Sequence, residues 1–147
     1  MVREIIDEWY RDIEMNHPEE LLKGRSFNVL TVKQPYASML VSDAKKYEFR
    51  NWKLPEKYIG EWVLIHAGKG VLKTKVKVSD ACYKFFMDYA KEQRLFSCIV
   101  GAVRFGHPEL SDAPIFTGYR WPVQECFKLL APIRDIKGHE KIWKITF

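Results

Sequence analysis

Three short apolar runs, each rich in β-branched or aromatic residues, constrain the fold of this chain most. They cover residues 27–32, 62–67 and 97–105. Short apolar runs bounded by turn signals are typical of buried strands. The second run carries no charged side chain, so we expect it to form a central strand. Gly101, in the third run, predicts a bulge or the close approach of another segment.

Helix signals separate these runs. Pro35 is suited to the first turn of a helix over residues 36–41. Ser79 has the side chain of an N-cap and precedes a predicted helix from Asp80 to about Gln93. The helices therefore alternate with the predicted strands along the chain.

Weaker patterns complete the assignment of the chain. Alternation over residues 45–52 predicts another strand, and residues 119–123, 126–130 and 141–147 predict three short ones. Gly and Pro in residues 106–118 predict a loop. The alternating lysines of residues 73–77 fit either a charged edge strand or an extended loop.

These elements predict an α+β fold with five or six strands and two or three flanking helices. A partly closed β-barrel would hide the sheet edges. With 147 residues and 47% hydrophobic content, the chain is long enough for one ordinary domain. We assign this domain to residues 26–147.

Residues 1–24 predict an added N-terminal amphipathic helix. Its apolar residues recur at the i, i+3, i+4 spacing of one helix face: Val2, Ile5, Ile6, Trp9 and Ile13. Residues 1–23 hold seven acidic and three basic side chains. A partner protein docked on this helix is one expectation; an ordinary solvated helix face is the other.

Several functional classes are not indicated. There is no apolar run of about 18 residues that would span a membrane, and the charged N-terminal residues do not resemble a secretory signal. The three cysteines form no CxxC pair, and the four histidines show no metal-ligand spacing. We therefore expect a cytoplasmic protein with reduced thiols, no metal and no cofactor.

The net charge of +5 is unevenly distributed along the chain. Residues 42–77 carry nine basic and four acidic side chains, so the middle of the chain is strongly positive. A basic stripe is typical of phosphate and nucleic-acid binding. A solvated lysine-rich surface is the alternative explanation.

The side chains best suited to chemistry lie between residues 34 and 52. Glu48 and Arg50 share one face of a predicted strand, and Lys45 lies on the preceding turn. A lysine near a carboxylate in a cleft can act as a base or nucleophile, and an arginine fork suits phosphate. Ordinary ion pairs beside a solvated sheet would give the same pattern. Tyr36 and Trp52 are candidates for stacking on a base, although most aromatic side chains belong to a core.

The same segment resembles the ASCH domain family. Residues 30–52 (LTVKQPYASMLVSDAKKYEFRNW) and 60–70 (GEWVLIHAGKG) follow the family pattern. The matching positions are Gln34, Pro35, Tyr36, Ala37, Lys45, Glu48, Arg50, Trp52, Ile65, His66 and Ala67. YRWPV, API and KGxxxIW in residues 119–143 resemble the family's C-terminal segment. One departure is Asp43, where the family usually has glycine two residues before the lysine.

This resemblance implies a PUA-like barrel that binds RNA or a nucleotide-like ligand, and some members look enzymatic. One branch hydrolyses the acetyl amide of modified cytidine, and another member is a ribonuclease. The amidohydrolase branch has threonine three residues after the lysine, where this chain has Glu48. That difference weakens the transfer of the amidohydrolase activity to this chain.

Five further residues join the candidate site. Gln34 offers a donor and an acceptor to a base edge. His66 ends an apolar run and is either a satisfied half-buried histidine or a polar group at the cleft rim. The remaining three are basic residues in turn-rich positions that could reach phosphate or simply be solvated: Lys69, Arg120 and Lys137.

Three functional hypotheses follow. The first is an RNA-binding or nucleotide-binding module, whose basic cleft is lined by residues 34–36, 45–52 and a turn at residues 66–69. The second is a metal-independent hydrolase in the same cleft, either a ribonuclease or an amidohydrolase of a modified nucleoside, with Lys45 and Glu48 as catalytic residues. The third is an interaction domain that docks a protein through the N-terminal helix.

Overall fold

The computed structural model describes residues 22–111 and 118–147. The predicted N-terminal helix lies almost entirely outside these residues. Within them, the chain forms seven strands and two α-helices. The strands are β1 (Ser26–Gln34), β2 (Tyr47–Arg50), β3 (Trp62–Val71), β4 (Cys98–Phe105), β5 (Glu109–Ser111), β6 (Gly118–Ile133) and β7 (Ile142–Thr146). The helices are α1 (Tyr36–Val41) and α2 (Asp80–Glu92), and a 3-10 turn covers Glu56–Tyr58.

All seven strands belong to one mixed sheet. The order is β2-β6-β4-β3-β1-β7, with β5 paired to β6. The β1–β3 pair is parallel and the other pairs are antiparallel. The α+β class is therefore confirmed. The expected barrel of five or six strands is corrected to a seven-stranded sheet that is not closed within the described residues.

The central strands are buried on both faces of the sheet. Leu30 and Ile65 contribute to the core on the side that α1 and α2 cover. Val29 and Leu64, one position earlier in each strand, contribute to a second core on the other side. Because side chains alternate between the faces of a sheet, β1 and β3 need apolar residues at consecutive positions. This explains why both strands were visible as unbroken apolar runs.

Local sequence signals explain both helices. Ser79 Oγ accepts a hydrogen bond from Cys82 N at 3.1 Å, so the predicted N-cap of α2 is confirmed. Every residue of α1 is buried, which explains its apolar composition. Neither described helix is long and apolar enough to cross a membrane.

Three local predictions are corrected. Residues 119–130 do not form two separate strands, because β6 continues through them. The last pair of the β4–β6 ladder is Phe105 with Val123. Pro122 lies one residue beyond that pair, where the missing N–H of proline is tolerated. Part of the predicted 106–118 loop is strand β5, and residues 66–69 belong to β3 instead of forming a turn.

Gly101 allows a close approach between elements, as predicted. A Cβ atom on Gly101 would lie 2.0 Å from the carbonyl oxygen of Phe127 and 2.8 Å from Cγ1 of Val41. Only glycine leaves room for α1 and β6 at this point of β4. The resulting close packing holds α1 directly above the centre of the sheet.

Candidate functional site

A cleft with a volume of about 810 Å³ lies between β1 and β2, which do not pair with each other in the sheet. We call it the seam cleft. Residues 31–33 of β1 line one side, and residues 48–52, from β2 onward, line the other. Residues 139–141 complete the rim, together with Tyr36, Lys45, Leu72 and Val76. The cleft exists because β1 pairs with β7 only over Ser26 to Leu30, so the next residues of β1 face an opening.

Lys45 lies in this cleft in an environment that is unusual for a lysine. Lys45 is only 6% exposed. Its Nζ lies 4.7 Å from the centre of the Tyr36 ring and 4.6 Å from that of Phe49. Among the described residues, no carboxylate or other hydrogen-bond acceptor pairs with this Nζ. Burial lowers the pKa of Lys45, and the negative charge of Glu48 opposes that shift.

Glu48 and Arg50 form an ion pair that links the two sides of the cleft. Glu48 is buried, and its Oε2 accepts hydrogen bonds from Arg50 Nη2 at 3.0 Å and from Nε at 3.3 Å. Its Oε1 accepts from Phe49 N at 3.2 Å. Arg50 Nη2 also donates to the carbonyl oxygen of Thr31 in β1 at 2.9 Å. The pair therefore spans from β2 to β1 where no strand pairing exists between them.

Tyr36 shapes the cleft through its hydroxyl group. The hydroxyl donates to Thr74 O at 2.7 Å and accepts from Val76 N at 2.9 Å. Burial raises the pKa of this hydroxyl, so Tyr36 remains a neutral phenol at ordinary pH. These two bonds fix the lysine-rich loop of residues 73–77, which resolves the choice left open by the sequence in favour of an extended loop.

Trp52 is the aromatic side chain best placed for stacking. It is half-buried and lines the cleft. The fully buried Trp121 contacts it edge to face, with ring centres 4.8 Å apart. Lys141 Nζ lies 5.9 Å from the centre of the Trp52 ring. Trp121 thus supports Trp52 from the core, and the Trp52 ring extends from that support to the cleft.

The sequence reasoning missed several residues of the cleft. The basic side chains of Lys33 and Lys141 are exposed and line it, together with Asn51, His139 and Glu140. Lys33 directly precedes the Gln34–Pro35 motif, which was a usable signal. No sequence signal indicated Lys141, because only the pairing of β7 with β1 brings residues 139–141 to the seam cleft.

The comparison with known families settles the membership of the chain. The model of the ASCH domain matches residues 30–137, which is more than half of the sequence. The chain belongs to the ASCH domain family. This family is PUA-like and generally associated with RNA binding. No curated protein matches the chain closely enough to add a more specific activity.

Asp43, the departure from the ASCH pattern, adopts a backbone conformation that glycine favours. Its φ is +58°, in the left-handed region that favours glycine. Aspartate tolerates this conformation better than most residues. The Asp43 carboxylate also accepts a hydrogen bond from Lys46 Nζ at 2.9 Å. The turn after α1 therefore still delivers Lys45 into the cleft.

His66 lies in the interior of the domain, and it does not line the seam cleft. It is 1% exposed, and its Nε2 donates to the Ile136 carbonyl at 2.6 Å. Its Nδ1 must then accept from the hydroxyl of Thr31, 3.1 Å away. That hydroxyl accepts from Trp143 Nε1 at 3.0 Å. Burial lowers the pKa of His66, so a neutral histidine ties β1 and β3 to the loop before β7.

The other predicted site residues lie outside the cleft lining. Gln34 is fully buried, and its amide bonds Ser38 and the Leu95 carbonyl at 2.9–3.1 Å. Arg120 pairs with Glu109 at 3.3 Å and lies over the Tyr47 ring. Lys69 and Lys137 are exposed. The structure thus brings together Tyr36, Lys45, Glu48, Arg50 and Trp52, and leaves Gln34, His66, Lys69, Arg120 and Lys137 apart from them.

Within the described residues, no group of three or more His, Cys, Asp or Glu side chains could hold a metal ion. The three cysteines are free thiols, and burial raises the pKa of Cys98 to about 11. The chemical groups of the cleft therefore include one buried amine, one arginine–carboxylate pair, two exposed lysines, the side chains of His139 and Glu140, and an aromatic surface.

Proposed function

We propose that the seam cleft binds a nucleotide, either free or as one unit of an RNA strand. The observation that carries this proposal is the opening itself: about 810 Å³ of space with cationic side chains on both sides and a tryptophan at one side. Clefts of several hundred Å³ suit ligands of nucleotide size. Membership of the ASCH family supports the same ligand class.

The charge balance of the cleft favours an anion. Four basic side chains line it: Lys33, Lys45, Arg50 and Lys141. The acidic residues there are Glu48 and Glu140, and Glu48 is already paired with Arg50. Even when the buried Lys45 is not counted, Lys33 and Lys141 outnumber Glu140, so an excess of positive charge remains for phosphate. Lys33 and Lys141 are exposed and free to follow a phosphate group, whereas Arg50 is held in place by Glu48 and Thr31.

Base recognition is assigned to Trp52. A base stacked on an aromatic side chain contributes about 1–3 kcal/mol. Tyr36 is less suited to this, because it is buried, whereas Trp52 is only half-buried. We therefore assign Tyr36 to shaping the cleft and Trp52 to holding the base.

A binding titration with matched lysine variants tests this function. We expect fluorescence anisotropy of a short labelled single-stranded RNA to show binding that weakens with salt, because counterions are released. Lys141→Ala is expected to weaken binding and to reduce the salt slope by about 0.7, the value for one phosphate contact on a single strand. Lys69→Ala removes another exposed lysine, one that lies outside the cleft lining, and serves as the control. Equal losses in both variants would mean that binding does not use the cleft.

A second candidate function is hydrolysis of RNA or of a modified nucleoside. The specific support is Lys45, whose burial lowers the pKa of its amine and makes it a better base or nucleophile. The Glu48–Arg50 pair would steady the charge that develops on the substrate.

Chromatography of N-acylated nucleosides and a denaturing gel of RNA, both after incubation with the full chain, would test for turnover. We expect Lys45→Met to abolish any turnover and Lys46→Met to preserve it. Turnover that survives Lys45→Met would exclude this assignment.

A further inference from the structure

Lys45 has a property that phosphate binding does not require. Lysines bind phosphate as point charges, and the exposed Lys33 and Lys141 already supply such charges at this cleft. Lys45 instead lies 94% buried between two aromatic rings, without a paired carboxylate. Burying an amine in this way is costly for its charged form. The two ring faces favour a charged ammonium, but burial lowers the pKa of Lys45 and so raises its share of neutral, nucleophilic amine above that of an exposed lysine.

The geometry leaves the amine one open side. The rings of Tyr36 and Phe49 lie within 4.7 Å of Nζ. In the described residues, Lys45 Nζ is not among the fully buried polar atoms that lack a partner. Since it has no hydrogen bond and yet retains access, it faces the cleft that Lys45 lines. A ligand in the cleft therefore meets the amine directly.

We propose that Lys45 forms a reversible imine with the aldehyde carbon of an open-chain sugar phosphate held in the seam cleft. The nitrogen lone pair attacks the carbonyl carbon, and the carbonyl oxygen takes up a proton to give a carbinolamine. The hydroxyl group then leaves as water and a C=N bond forms. The two hydrogens of the neutral amine and the carbonyl oxygen make up the water, so no oxidant or reductant is needed.

The residues around Lys45 indicate this ligand class. Arg50, Lys33 and Lys141 line the same cleft and can hold a phosphate while the sugar carbon reaches Nζ. The aldehyde has two sources with the same chemistry: a free sugar phosphate, or an abasic nucleotide within a strand. This inference rests on the proposed function, because it requires the seam cleft to hold a phosphate. Its readout is a covalent bond at one residue, so a failed RNA titration and a failed trapping experiment are distinct results.

Reductive trapping tests the inference. The full chain is incubated at about pH 7 with sodium cyanoborohydride and either 2-deoxyribose 5-phosphate or a single-stranded oligonucleotide that contains one abasic site. Cyanoborohydride converts an imine into a stable secondary amine, which peptide mass spectrometry locates. Lys46 is the internal control, since it is adjacent in sequence, exposed and paired with Asp43, and this pairing raises its pKa.

We expect the adduct at Lys45 to exceed that at Lys46 severalfold, because burial lowers the pKa of Lys45 whereas the pairing with Asp43 raises the pKa of Lys46. Lys45→Met should abolish the main adduct, and Lys46→Met should preserve it. An adduct from 2-deoxyribose 5-phosphate alone assigns the site to free sugar phosphates; one from the oligonucleotide alone assigns it to abasic strands. An adduct spread evenly over exposed lysines, or none at Lys45 with either probe, overturns the inference. Because the wild-type map needs no variant, the test holds even if Lys45→Met fails to fold.

Discussion

Replacing Thr31 by valine should destabilise the protein, although valine is the better strand former. The hydroxyl of Thr31 accepts a hydrogen bond from Trp143 Nε1 at 3.0 Å and donates to His66 Nδ1 at 3.1 Å. Valine keeps the shape of the side chain and removes both bonds. Strand propensity alone predicts a neutral or stabilising change, so the sign of the effect separates the two explanations.

The magnitude follows from the two groups that lose their partner. His66 is 1% exposed, and an unsatisfied buried acceptor costs about 1–3 kcal/mol. Trp143 is only half-buried, so water can replace part of the bond it loses. We therefore expect a loss of about 2–3 kcal/mol in the free energy of unfolding. For a chain of this length, each kcal/mol lowers Tm by about 2–4 °C, which gives a decrease of about 4–12 °C.

Urea unfolding followed by circular dichroism measures this loss, and Ser26→Ala is the matched control. Ser26 Oγ bonds Thr146 Oγ1 at 2.6 Å between β1 and β7, but that bond is exposed. Its removal should change the free energy of unfolding by no more than about 0.5 kcal/mol. A double-mutant cycle with Trp143→Phe should show a coupling energy between the two positions. If Thr31→Val unfolds within about 0.5 kcal/mol of wild type, the proposed network does not stabilise the fold.

Three other outcomes test separate parts of the structure. Burial lowers the pKa of His66 in the folded state, so protonation of His66 favours unfolding, and the free energy of unfolding should fall as the pH drops below the unfolded pKa of about 6.5. In urea titrations between about pH 5 and pH 7, His66→Gln should flatten this pH dependence, and an unchanged slope would contradict the role assigned to His66. Gly101→Ala should cost about 3 kcal/mol or more, because its Cβ would lie 2.0 Å from a backbone oxygen, whereas Gly70→Ala meets nothing within 4 Å and should unfold like wild type in the same assay. Tyr36→Phe removes both bonds to the 73–77 loop, so hydrogen exchange there should accelerate while α2 stays protected; unchanged exchange in that loop would argue against the role assigned to the hydroxyl.

The part of the cleft that the sequence predicted is the part that local spacing determines. Tyr36, Lys45, Glu48, Arg50 and Trp52 lie within one short segment that runs from α1 into β2. The helix, the turn at Asp43 and the two-residue period of the strand therefore fix their relative positions. Patterns of this range are visible in a sequence without knowledge of the sheet order.

The remaining residues depend on strand order, which the sequence does not reveal. Lys141 reaches the cleft because β7 pairs with β1, more than 100 residues earlier in the chain. His66 was expected at the end of a strand, but β3 continues to Val71 and leaves it in the interior. Gln34 also has a clear sequence signal, but its role became apparent only when the loop before β4 was seen to supply Leu95 O.

The position of β1 between β3 and β7 also constrains how the protein is made. A ribosome releases β1 first among the described strands and β7 last. Until β7 emerges, β1 has a free edge that is rich in apolar residues, and such an edge can pair with another nascent chain. The rim at residues 139–141 emerges just before β7, so the cleft is completed only after nearly the whole domain has been synthesised. A nascent chain that lacks residues 139–141 would therefore lack part of the proposed ligand site.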